Sequence, residues 1–141
     1  MNAFAALLAH QPVVLLHLAC ALGALALGSV ILWGRKGSGT HRWMGRTWVA
    51  LMAGAALSSV FIRGGGMPNI GGFSPIHALT LVVLWQLPRG IRFARQGNLV
   101  AHRKTMRGLY IGGCIVAGLF TLVPGRFLGQ LLWTHSQGLL A

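Results

Sequence analysis

Not one aspartate or glutamate occurs among the 141 residues of this chain, and its twelve lysines and arginines are unevenly spread. Arg35, Lys36, Arg42 and Arg46 form one cluster. Arg89, Arg92, Arg95, Arg103, Lys104 and Arg107 form a second, and only Arg63 and Arg126 stand elsewhere. Around the clusters run apolar stretches, so that 55% of the residues are hydrophobic and the mean hydropathy is +0.68. A water-soluble helix sets a charged face opposite its apolar one, and a chain with cations alone can form no side-chain ion pair. What fits is a set of membrane-crossing helices whose cations collect in alternate loops on the cytoplasmic side. A formal charge of +12 in a soluble chain would point to nucleic acid. Here it marks topology first and contact with anionic lipid second, and no nucleic-acid partner is expected.

A spanning helix takes about 20 mainly apolar residues. On that basis the crossing segments are expected at about 11–33, 43–62, 74–95 and 104–123. Pro88 is expected to kink the third, with Arg89, Arg92 and Arg95 snorkelling to the interface beyond it. Pro124-Gly125 ends the fourth, and the stretch from Arg126 to Trp133 reads as a short amphipathic surface helix. Residues 1–10 carry no basic start of the kind a cleaved signal peptide has, and are expected as a short interfacial helix. Gly37-Ser38-Gly39 is a tight inner turn, and the glycine-rich run from Gly64 to Gly72 is a longer outer loop. Trp33, Trp43 and Trp133 are placed like interface anchors. The expected fold is all-α: an integral membrane four-helix bundle, residues 1–141 as one domain, built from a duplicated two-helix unit with a short C-terminal interfacial helix. Both termini lie outside.

The duplication rests on histidine. His17 and His41 are 24 residues apart, His77 and His102 are 25 apart, and the second member of each pair precedes an arginine. Each interval is one crossing plus a turn. His17 and His77 therefore share the outer level, on the first and third segments, and His41 and His102 share the inner level, on the second and fourth. From His17 to Trp33 is roughly 24 Å of helix, which sets the two levels near opposite faces. Ionisable groups in membrane segments are costly and point to function. Facing histidines at one level, without cysteine, suit bis-imidazole ligation of a b-type haem in a bundle core. Arg42 and Arg103, beside the inner histidines, and Arg126 or Arg63 outside, are the candidate partners of haem propionates. Without carboxylates, only carbonyls, hydroxyls or water remain to take a ligand imidazole's second N–H. The same lack argues against calcium or magnesium. Contact with lipid phosphate is the plainer role for His41 and His102, each in a His-Arg pair beside a cationic loop, and a surface place is expected of His10 and His135.

Small residues repeat along the segments. His17, Ala21, Ala24 and Gly28 share a stripe, as do Gly108 and Gly112, with Gly113 and Ala117 continuing a smooth surface. Such faces suit close helix packing or a wall for a flat macrocycle. Cys20 and Cys114 lie in apolar segments without a C-x-x-C pattern and read as small buried hydrophobes. Trp48, Trp85 and Tyr110 suit core packing or anchoring, with a place along an electron path as the other role.

Gly39-Thr40-His41-Arg42-Trp43-Met44-Gly45-Arg46, Phe73-Ser74-Pro75-Ile76-His77, Ala101-His102-Arg103-x-x-Met106 and Ala117-Gly118-Leu119-Phe120-Thr121-x-x-Pro124-Gly125-Arg126 resemble the bacterial predicted-membrane-protein family known as domain of unknown function 2306. The resemblance spans Pro12 to Arg126. It implies a four-helix protein of the bacterial inner membrane and no established reaction. The alternating histidine pairs also resemble, in architecture only, the dihaem transmembrane b-type cytochromes of the ascorbate- and quinone-linked ferric reductase kind, which pair helix one with three and two with four.

The expected function is a small electron carrier with two b haems per chain, one on His17 and His77 and one on His41 and His102. It would exchange electrons with quinol or a redox protein. The alternative is a non-catalytic accessory or assembly subunit without haem, in a homo- or hetero-oligomer. A third reading, a metal or proton pathway, lacks the acids such relays combine with histidine. No strand precedes a G-x-G-x-x-G, and no nucleophile–base–acid set occurs, so neither nucleotide binding nor hydrolysis is indicated.

Overall fold

The computed structural model describes residues 12–62 and 75–122, together with position 129. Arg63, Arg126, Trp133, His10, His135, the expected terminal helices and the outer glycine-rich loop lie outside the described residues. Helix α1 is Pro12–Trp33, α2 is Gly39–Phe61 and α3 is Pro75–Arg95. Helix α4, Leu99–Leu109, runs without a break through a π-helical stretch, Tyr110–Val116, into α5, Ala117–Thr121. The described residues hold no strand, and the architecture is the expected all-α bundle.

Two helix starts differ from the sequence reading, and the reason is capping. Helix α2 begins at Gly39 and α4 at Leu99, four and five residues before the expected apolar starts. The Ser38 side chain accepts from the His41 N–H at 3.1 Å, and the Asn98 side chain accepts from the Ala101 N–H at 3.1 Å. Each cap satisfies a donor in the first helical turn, so the helix extends through the basic His-Arg turn. The residue before each cap, Gly37 (φ 85°) or Gly97 (φ 73°), is in the left-handed conformation. That conformation is costly for any residue with a Cβ. The two inner loops are thus built alike, although His41 follows its cap by three residues and His102 by four. Pro88 sits inside α3 without ending it.

Each helix packs on its successor, and the π segment closes the ring against α1. Helices α1 and α3, and α2 and α4, therefore face each other across diagonals. The core is Ala24, Trp48, Met52, Ala56, Val83, Leu87, Leu109, Tyr110 and Cys114. Its centre is a knot of α1, α2 and the π segment. The Trp48 Nε1–H donates to the Ala24 carbonyl at 2.9 Å, and the Tyr110 hydroxyl donates to the Leu25 carbonyl at 3.2 Å and meets the Ser29 hydroxyl at 2.6 Å. Both rings close on Gly28, where a Cβ would stand 2.5 Å from the Tyr110 ring and 2.8 Å from Trp48 Nε1. The small-residue stripe of α1 is accordingly a packing face. On α3 and α4, a Cβ on Gly90 would stand 2.5 Å from the Met106 methyl.

Outward, the surface is apolar: Leu16, Leu22, Phe61, Leu81, Trp85, Leu119 and Phe120 are all exposed. Taken singly, however, only α1 among the described residues is long and apolar enough to cross a membrane, with a mean hydropathy of 2.3. Helix α2 includes His41, Arg42 and Arg46, and α3 includes Arg89, Arg92 and Arg95, so their apolar stretches are shorter than the helices themselves.

Candidate functional site: the paired histidines

The four histidines of the repeat are positioned by different means. His17, one turn into α1, is docked on α2. Its Nδ1 lies 2.8 Å from the Ala55 carbonyl, to which only an N–H can bond, and 3.2 Å from the Ser58 hydroxyl. His102, in the first turn of α4, is docked on α3, with Nδ1 donating to the Gly90 carbonyl at 2.8 Å. That carbonyl is within reach because Gly90 lets the two helices approach so closely. A main-chain carbonyl on Nδ1 fixes the tautomer and leaves Nε2 with its lone pair, the state in which imidazole binds a metal. His77 is half-buried on α3.

His41 is different. Its Nδ1 is the one buried side-chain nitrogen or oxygen among the described residues that has no hydrogen-bond partner. The histidine lies in the first turn of α2, ahead of the apolar stretch. Burial, then the positive charge of His102, then that of Lys36 push its imidazolium below the ordinary histidine range. His41 and His102 occupy the first turns of α2 and α4, on helices that face each other across a diagonal. One turn beyond His41, Gly45 has nothing within 4 Å of the place a Cβ would take. Arg42 and Arg103 are exposed beside the pair.

The bundle's centre cannot share in such a site, because Trp48, Tyr110 and Met52 fill it. Trp85, grouped with Trp48 and Tyr110 in the sequence, is not in the core. It is 61% exposed, with the Arg89 guanidinium 4.3 Å from its ring centroid. Cys114 is buried with Sγ 3.5 Å from Met52 Sδ, and Cys20 faces Gly54; both are free thiols. No group of three or more histidine or cysteine side chains gathers among the described residues.

A family model for domain of unknown function 2306, described as a predicted membrane protein, matches residues 14–128. The chain belongs to this family. The match takes in all four histidines of the repeat and both basic clusters. Membrane localisation follows from the family's description together with the apolar α1 of this DUF2306 protein. No curated protein and no solved structure matches the chain.

Sequence reasoning missed three things that shape the site. The Gly90 carbonyl under His102 and the Ala55 carbonyl under His17 carry no side-chain signal. The caps, by contrast, do: a Ser or Asn directly after a glycine and three or four residues before a histidine is a readable helix start.

Proposed function

We propose that this DUF2306 protein is a small electron carrier of the bacterial inner membrane, crossing it four times with both termini outside, and that it holds b-type haem between paired histidines. The inner haem is held by His41 and His102, and a second by His17 and His77. The observation that carries this reading is the inner pair. Both histidines stand in the first turns of their helices, one with its Nδ1 committed to a carbonyl and the other with a buried Nδ1 that nothing satisfies. A haem held by two such imidazoles would supply one-electron transfer. The chain's own residues do the rest. The Ser38 and Asn98 caps fix the two helix starts, the Gly90 carbonyl orients His102, and Arg42 and Arg103 are the propionate partners at the basic end. The filled centre keeps water from passing between the two levels. Quinol in the bilayer or a redox protein at either surface is the exchange partner.

The alternative, an accessory subunit without haem, has one observation in its favour. Gly108 on α4 and Gly112 in the π stretch have nothing within 4 Å of a Cβ, so this small-residue pair serves no packing within the described residues. Spectra separate the two. Detergent-purified protein from haem-replete cells is expected to show a sharp α band on dithionite reduction and about two haems per chain by pyridine haemochrome. His41→Ala and His102→Ala should each remove the same haem, and His17→Ala the other. A colourless, monodisperse protein refutes the carrier and leaves the accessory reading.

A further inference from the structure

The outer face of α3 joins an apolar stripe to a clamped guanidinium. Leu81, Val82 and Trp85 are exposed, and at 100° per residue they lie on one side of the helix with Arg89 and Arg92. Arg89 stacks between two rings of its own helix, 4.3 Å from the Trp85 centroid and 5.8 Å from that of Phe93. Stacking of this kind occupies the faces of a guanidinium and leaves its N–H edge available. No acceptor among the described residues takes that edge, and the chain contains no carboxylate side chain that might. That edge is open to water or to an anion from outside. From Leu81 to Arg92 is roughly 16 Å of helix, which matches one leaflet's hydrocarbon depth, about half of the ~30 Å core.

We infer that Arg89, held between Trp85 and Phe93, anchors the phosphate of a bound anionic phospholipid whose acyl chain lies along Leu81, Val82 and Trp85. The phosphate takes paired N–H donors from Arg89, which a planar fork supplies and an ammonium does not. Arg92, one turn on, adds the charge that favours an anionic headgroup over a zwitterionic one. Apolar stripe, stacked ring and cation follow one another in the order that chain, interface and phosphate do in a lipid. The site is independent of haem.

The test is native mass spectrometry of the full-length protein in detergent, titrated with phosphatidylglycerol or phosphatidylcholine. One phosphatidylglycerol should persist on the wild type under conditions that strip phosphatidylcholine. Arg46→Gln removes an exposed cation from the same end and should weaken binding only about fivefold, the general effect of one charge. Arg89→Gln should weaken it more than tenfold, as expected for losing a charge-assisted pair of hydrogen bonds. Arg89→Lys should restore only part of the loss. Trp85→Ala alters an exposed ring, keeps every charge, and should still lower retention several-fold. Circular dichroism of each variant checks that the helices are intact. Equal losses for Arg46→Gln and Arg89→Gln would overturn the clamp and leave diffuse attraction. Equal retention of both lipids, or full displacement by soluble glycerol phosphate, would overturn the assignment to an anionic lipid.

Discussion

Replacing Gly28 by alanine tests the central packing of this bundle at its tightest point. The new methyl would lie 2.5 Å from two atoms of the Tyr110 ring and 2.8 Å from Trp48 Nε1. To reach an ordinary contact of about 3.5 Å the ring must retreat by about 1 Å. It is not free to do so, because its hydroxyl is bonded to Ser29 at 2.6 Å and to Leu25 at 3.2 Å. Trp48 is pinned likewise by the Ala24 carbonyl at 2.9 Å. Overpacking a well-filled core costs about 1–3 kcal/mol. Each interhelical hydrogen bond lost in a membrane adds about 0.6 kcal/mol on average. Gly28→Ala should therefore destabilise by about 2–4 kcal/mol. Unfolding by sodium dodecyl sulfate in mixed micelles, followed by helical circular dichroism, measures this. Gly108→Ala, facing open space, is the control and should lie within about 0.5 kcal/mol of wild type. Gly23→Ala, where the neighbour is the flexible end of Leu51 at 3.2 Å, should fall between them. If Gly28→Ala costs no more than Gly108→Ala, the rings are not held as described and the reasoning fails.

His41 should gain its proton at a lower pH than an ordinary histidine. Its folded-state pKa lies below the ordinary value of 6.5, so the folded state binds fewer protons than the unfolded one. Stability is then expected to drop as pH falls through 6.5 and to level off below the folded pKa. Histidine-selective NMR reads the titration directly; His102→Gln should raise the His41 pKa without returning it fully to the ordinary value, since burial is the larger cause. An unchanged His41 titration in that variant would show that the two imidazoles do not sense each other. Ser38→Ala removes the cap of α2 and should cost about 1 kcal/mol in the same detergent titration. Gly97→Ala puts a Cβ on a left-handed residue and should cost about 1–2 kcal/mol. In both, any haem on the inner pair should also be held less firmly, seen as faster transfer to apomyoglobin. Ser59→Ala removes a buried bond of 2.7 Å to Thr80 and should weaken the α2–α3 contact by about 0.6–1.7 kcal/mol.

Much of this was legible beforehand, and what was not has identifiable physical causes. The spacing of apolar runs and the two cation clusters located all four helices to within a few residues, because charge and hydropathy are properties of single positions. The starts of α2 and α4 were placed late, since arginine and histidine in a first turn look like loop until the Ser38 and Asn98 caps are recognised. That His41 and His102 stand at the matching ends of α2 and α4 followed from the repeat. The partners that orient each histidine did not, since the carbonyls of Ala55 and Gly90 are main-chain groups common to every sequence. Nor did the meeting of Gly28 with Tyr110, two residues more than eighty positions apart. The stripe containing Gly28 favoured packing over a macrocycle wall, and the rings that fill it place it in the packed core.

The π stretch from Tyr110 to Val116 has a consequence for how this chain tolerates change in length. A residue added to a regular α-helix turns everything after it by about 100°, whereas a π turn absorbs one extra residue in a wider loop of backbone. The stretch therefore acts as a stored insertion. Removing one residue there, for instance at the Gly112-Gly113 pair, would return the helix to ordinary winding and leave Ala117–Thr121 facing much as it does now. The same deletion in α1 or α2 would rotate half a helix out of the core. An alignment of shorter and longer members should accordingly place its gap in this turn.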